Sequence, residues 1–230
     1  MNVLLYGATG MIGRGVLREC LLAPDVQRVI AVVRRPTGHY RQQKLAELVQ
    51  PDVADMTALG DRLAGVDTCL FCLGVSSLGM SEEAYSSVTY DLTMSVAEAL
   101  AKANPNATFV YVSGAGTDTT ERGRYMWARV KGRTENGLLR LPFRGAYMFR
   151  PGAIIPLHGI RSSTRWYNAM YAILRPLLPI VRRVAPDSVT TTEEFGRAML
   201  AVARNGYSKR VLEMKDIRRV ASHGTTGTEG

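Results

Sequence analysis

No stretch of this 230-residue chain holds the ~18–20 consecutive apolar residues that a membrane-spanning helix needs, so no transmembrane segment is expected. A charged segment leading into an apolar run and a small-residue cleavage site, the pattern of a secretory leader, is also missing. The run MNVLLYGATG instead begins a strand pattern at its second residue, so a native amino terminus and a cytoplasmic location are expected. Cysteine is scarce, and Cys20, Cys69 and Cys72 are too few for a disulfide framework. Cys69 and Cys72 do spell C-x-x-C, but TCLFCLG is a continuous apolar run bounded by Asp67 and Gly74 and reads as a buried strand. Positions three apart on a strand face opposite sides of the sheet, which argues for packing over redox or zinc chemistry. His39, His158 and His223 show no metal-ligand spacing, and no metal is expected.

Acidic residues are thin in one region. Residues 161–219 carry twelve Lys and Arg against five Asp and Glu, whereas residues 1–160 carry seventeen against fourteen. A basic face attracts phosphates, but no nucleic-acid-binding motif accompanies the charge, so no specific nucleic-acid partner is expected. The 46% apolar and 21% charged composition is that of an ordinary globular protein with a sizeable core.

Short apolar runs alternate with helical patterns. Strands are predicted at Val3–Tyr6, Arg28–Val33, Leu45–Val49, Thr68–Leu73, Thr108–Ser113 and Gly145–Phe149, and helices at Met11–Leu22, Met56–Ala64, Glu82–Ala103 and Tyr125–Arg140. The strands are nearly all apolar, as when both faces of a parallel sheet are covered. The fold expected is α/β, a Rossmann-like doubly wound parallel sheet with helices on both faces and a small carboxyl-terminal cover. Residues 1–219 form one domain, with 1–156 as its core and 157–219 as a substrate-side cover, and 220–230 form a disordered tail. In the cover, Glu193–Arg204 reads as a helix and Lys209–Met214 as a strand, while Trp166, Tyr167 and Tyr171 either line a pocket or pack. The two long central helices either pair in a homodimer or face water.

Between the first strand and first helix stands Gly7-Ala8-Thr9-Gly10-Met11-Ile12-Gly13. Glycines in this position permit a tight turn and bring backbone N–H groups against a pyrophosphate at the positive end of a helix. The second strand ends in Arg34-Arg35, where a cofactor without a 2′-phosphate usually meets an acid. Guanidinium forks suit a phosphate dianion, so NADP(H) is expected over NAD(H). Asp52, followed by Val53, either accepts from an adenine amino group or caps a turn. Leu73-Gly74-Val75 ends the fourth strand, where the chain can pass close to a cofactor.

GATGMIG, the strand-end arginine, FCLG, YVSGAG, the lysine helix with its KGRTE run, and FRPGAII occur in an order that resembles the short-chain dehydrogenase/reductase superfamily. The likeness is to its extended or atypical branch, which holds NmrA-like, NAD(P)-dependent epimerase-like and Tat-interacting oxidoreductase-like proteins. It covers residues 2–156 well and is weaker to about 219. The resemblance implies an oxidoreductase or epimerase acting on a small-molecule substrate, or a nucleotide-sensing regulator acting through a protein partner. It implies nicotinamide-site roles for Pro151, Gly152 and Ile154. Family chemistry uses a serine after the fifth strand and a tyrosine four residues before a lysine, and Ser113 and Lys131 match. Four residues before Lys131 stands Trp127, whose indole is a donor without useful titration. Tyr125 lies two residues earlier, about 200° round the helix, and is the lesser candidate for the acid.

Overall fold

The computed structural model describes residues 1–37, 42–57, 59–160 and 189–223. His39 and the aromatic trio Trp166, Tyr167 and Tyr171 lie outside the described residues. Seven parallel strands form the main sheet in the order β3-β2-β1-β4-β5-β6-β9. They are β1 (Asn2–Tyr6), β2 (Arg28–Val33), β3 (Leu45–Val49), β4 (Thr68–Phe71), β5 (Thr108–Val112), β6 (Gly145–Arg150) and, numbered after a two-stranded parallel ladder of β7 (Ala153–Ile155) and β8 (Val189–Thr191), β9 (Val211–Glu213). The chain reverses direction across the sheet between β1 and β4, the place where ligands sit in doubly wound folds. The expected fold class is the one observed.

Alternation along each strand builds two cores. Val3 and Leu5 of β1 join the cluster under α1 (Met11–Leu22) and α5 (Thr192–Asn205), while Leu4 and Tyr6 join the opposite cluster. That second cluster lies under α3 (Leu92–Ala103) and carries a run of rings, Tyr6 on Phe71 at 5.2 Å and Phe71 on Phe109 at 5.9 Å. Such pairs add about 0.5–1.5 kcal/mol each beyond their buried area. Cys69 falls in one cluster and Cys72 packs against the other. The C-x-x-C is therefore split by the sheet, as the strand reading requires.

Several elements depart from the sequence pattern. Met56–Ala64 is no α-helix; only a 3₁₀ segment, Gly60–Gly65, forms there, and Gly60 has φ +43°. Glu82–Ala103 is broken into α2 (Glu82–Ser86), a π turn (Ser87–Asp91) and α3. Residues 220–223, expected in the tail, are helical: α6 (Met214–His223) follows β9 directly, and Ile217 and Ala221 are buried in the first core, while 224–230 lie outside the described residues. Their four-residue spacing supplies the apolar face that holds the helix down. α4 (Met126–Leu139) carries Glu135, fully buried, which receives both Arg150 Nε (3.0 Å) and Nη2 (2.6 Å). Arg150 also reaches Glu213 at 3.2 Å, so one guanidinium ties α4, β6 and β9.

Removing one partner of a buried pair strands the other charge. Arg150→Met should therefore lower unfolding stability by about 3–5 kcal/mol in urea titration; a loss below about 1 kcal/mol would show that Glu135 needs no partner.

Candidate functional site

The glycine turn owes its three glycines to three different constraints. Gly7 has φ +79°, and an added Cβ would lie 2.6 Å from the Cys72 carbonyl carbon. At Gly13 a Cβ would stand 2.0 Å from Gly7 O, so this glycine lets α1 settle on the turn. Gly10 is extended (φ −77°, ψ 168°), and its only neighbour within reach would be Gly7 O at an ordinary 3.4 Å. Among the described residues nothing requires a glycine at 10, and the space beside it would admit a closely approaching phosphate. α1 has no side-chain cap and no acid in its first turn. Its first N–H groups and the positive end of its dipole are left for an anion. Thr9 is exposed beside this cradle.

At the far end of β2, Arg34 and Arg35 are exposed, and neither has an ion-pair partner among the described residues. Asp52 is exposed, and its Oδ1 accepts from the Ala54 amide at 2.9 Å, the turn-capping alternative; Val53 leans on the second core. Sequence reasoning missed Gln50, the buried residue at the end of β3. Its Nε2 donates to Asp52 O (3.0 Å) and Asp55 O (2.7 Å), holding the 51–55 turn, while Oε1 is buried with no partner. An unsatisfied buried acceptor is costly.

Between these loops and α4 opens a cleft of about 490 Å³. Gly10, Met11 and Ile12 line it from α1, Leu73, Gly74 and Val75 from the end of β4, and Ser113, Trp127 and Lys131 from β5 and α4. Trp127 and Lys131 are one helical turn apart and share a face. The indole lies over the loop after β5: a Cβ added at Gly116 would be 3.5 Å from it. That loop is fastened by Asp118, whose carboxylate accepts from the amides of Thr120, Arg122 and Gly123. Gly132 lets α4 touch it, since a Cβ there would meet Asp118 O at 1.8 Å. Tyr125 is not in the cleft. It is the extended N-cap of α4 and 63% exposed, which removes it as the acid.

The polar groups of the cleft constrain each other. Thr117 Oγ1 donates to Gly114 O (2.8 Å), so its single proton is spent and it must accept from Ser113 Oγ at 3.0 Å. Ser113 thus turns lone pairs, not its proton, toward the cleft. Lys131 Nζ donates to Val112 O (3.3 Å) and to the Tyr111 hydroxyl (3.4 Å). Burial pushes its ammonium down to about 8, opposed by Glu135. Pro151 is buried and its carbonyl accepts from Ala115 N (3.0 Å), while Gly152 is exposed. Neither lines the cleft among the described residues, and Ile154 lies in the first core, 4% exposed. Tyr85 of α2 does line it, a residue that sequence reasoning passed over.

Comparison with known proteins agrees with this geometry. The profile of the family described as NAD(P)H-binding matches residues 7–136. Protein FMP52 of Saccharomyces cerevisiae is 30% identical over 167 residues, covering 72% of this chain and 69% of that protein. The structure of Gre2 from Candida albicans in complex with NADPH superposes with TM-score 0.68 at 16% identity, covering 93% of this chain and 78% of that one. A short-chain dehydrogenase/reductase family oxidoreductase from Burkholderia thailandensis gives TM-score 0.64 at 18% identity, covering 89% and 85%. The cytoplasmic location expected above is corrected by the same comparison. FMP52 and four further fungal relatives, 25–31% identical, are named mitochondrial. A strand that starts at residue 2 says how the sheet begins and nothing about where the protein resides.

Gly10→Val should abolish nucleotide binding in calorimetry while the circular dichroism and melting curve stay native, because an extended position accepts a branched residue. Gly13→Val should instead unfold the turn; a folded Gly13→Val protein would contradict the close contact. Lys131 is charged below about 8 and loses its charge as pH rises through that value. Affinity for an anionic nucleotide should accordingly be full at pH 7 and fall by roughly three- to tenfold by pH 9.5. In Lys131→Met that pH dependence should vanish, and a profile that keeps its shape would assign it to another group.

Proposed function

Because the chain belongs to the NAD(P)H-binding family, with the fold of the extended short-chain dehydrogenases/reductases, we propose that it is an NADP(H)-dependent oxidoreductase that acts on a small carbonyl or hydroxyl compound by hydride transfer. The observation that carries this reading is the convergence of Lys131, Ser113 and Trp127 with the open end of α1 on one cleft. Such a cleft holds a nicotinamide beside a lysine when the pyrophosphate lies on the glycine turn. The bound nicotinamide would supply or take the hydride. The chain's own residues would orient it: the α1 amides would hold the phosphates, Lys131 the ribose, and the Leu73–Val75 segment and Trp127 would shield the ring from water. Preference for the phosphorylated cofactor rests on Arg34, with Arg35 beside it, exposed and free of carboxylate partners among the described residues.

A second reading, a nucleotide-sensing regulator that acts through a protein partner, is favoured by Trp127 alone. Its indole stands where a phenol would otherwise give or take a proton, and losing acid–base catalysis forfeits about 10²–10⁴-fold in rate. Nucleotide-dependent reduction of any carbonyl decides between the two.

NADPH should bind at least tenfold more tightly than NADH, since one charge-assisted hydrogen bond is worth about 1.5–3 kcal/mol. Arg34→Asp should erase that margin and leave NADH nearly unaffected. Equal affinities of the parent protein for both nucleotides in calorimetry would remove the NADP(H) assignment.

A further inference from the structure

The helix that begins at Glu82 changes its winding before it reaches the core. Ser87–Asp91 form a π turn between α2 and α3, and no proline or glycine in SVTYD imposes it. A π turn absorbs one extra residue and is found frequently at functional sites. α3 turns Thr93, Met94, Val96, Ala97, Leu100 and Ala101 inward. Counted back from Ala97 at 100° per residue, an unbroken α-helix would place Tyr85 about 120° away, at the edge of that face beside Val96. With one residue absorbed the offset shrinks to about 20°, which moves Tyr85 from the edge of the buried face to its middle. The winding turns the tyrosine further inward, and it lines the cleft.

Its surroundings are those of a working phenol. Tyr85 is 2% exposed yet lines the cleft together with Ser113, Trp127 and Lys131. It lies close enough to Tyr111 for one phenol to disfavour ionisation of the other, and the Tyr111 hydroxyl is the one that Lys131 Nζ reaches at 3.4 Å. Ser113 has its proton committed to Thr117, so it is not the donor.

We propose that Tyr85 is the catalytic acid of this cleft, supplying the proton that the indole of Trp127 cannot. The assignment rests on the oxidoreductase reading above. When bound, reduced nicotinamide supplies two electrons and a hydrogen, as hydride, to the carbonyl carbon. At the oxygen end the Oη–H bond of Tyr85 breaks, its proton forms the new O–H bond of the alcohol, and the electron pair stays on Oη. Solvent reprotonates that phenolate through the mouth of the cleft. Burial holds the Tyr85 phenol above its ordinary value, so it is protonated at neutral pH, as a donor must be. An alkoxide is a far stronger base than a phenolate, and transfer from even a raised phenol runs downhill.

Tyr85→Phe removes the hydroxyl and keeps the ring. The variant should bind NADPH within about twofold of the parent, yet lose about 100-fold in kcat on a panel of aldehydes and ketones. Adding Trp127→Tyr to Tyr85→Phe should recover part of that rate, because it returns a phenol to the cleft one turn from Lys131. A readout free of turnover is the ¹³Cζ resonance of Tyr85, assigned by its loss in the variant, which should shift when NADP⁺ saturates the protein. Parent activity that survives Tyr85→Phe, or a Tyr85 resonance unmoved by nucleotide, overturns the assignment while leaving the oxidoreductase reading intact. A parent that binds NADPH and reduces no carbonyl overturns that reading, and the assignment with it.

Discussion

Gly7 is where three stretches of backbone come within contact distance: the turn itself, the end of β4 at Cys72 and Leu73, and the first turn of α1 at Gly13. No side chain fits at either glycine, and Gly7 in addition holds a positive φ. This contact sets how low α1 sits on the sheet, and with it the height of the cleft floor. β1 and β4 are paired from Val3–Thr68 to Tyr6–Phe71, so the turn and the β4 end arrive at the same level. Everything that lines the cleft is placed relative to that junction.

Two helices of this fold treat their amino ends in opposite ways. α5 closes its own end: Thr191 accepts from the Glu194 amide and Glu194 reaches back to the Thr191 amide, a complete capping box. α1 has neither a cap nor an acid. α1 therefore presents its first N–H groups without a side-chain cap, where α5 fills its own. The same contrast holds among the arginines. Arg150 is enclosed by Glu135 and Glu213, whereas Arg34 and Arg35 have no ion-pair partner among the described residues.

Much of this was legible before any coordinates. Strands β1, β2, β4, β5 and β6 are covered on both faces, so they had to be apolar throughout, and their runs stood out. The glycine turn and Lys131 were legible because their spacing follows from backbone geometry. What escaped notice depends on longer-range or subtler causes. Met56–Ala64 has an amphipathic look, but Gly60 adopts φ +43° and only a 3₁₀ segment forms. α6 is ten residues of mixed polarity whose inward positions make sense only against a core built by α1 and α5. Gln50 matters through one buried oxygen, which no pattern of residue types announces. Tyr85 was hidden most completely, because its facing direction is set by a change of winding several residues later in the chain.

That change of winding has a consequence for how such a protein can diversify. The π turn is an insertion held inside a helix, and an insertion is undone by a deletion. Removing any one residue between Ser87 and Asp91 would let α2 and α3 run on as a single regular helix, with α3 still seated by Val96, Ala97 and Leu100. α2 would then keep its facing, because eleven regular residues turn through the same angle as twelve with one absorbed, and Tyr85 would stay at the cleft. The glycine turn and the strand-end arginines, which belong to other elements, would be untouched. Chain length at one place in a helix can thus change while the same residues go on facing the cleft.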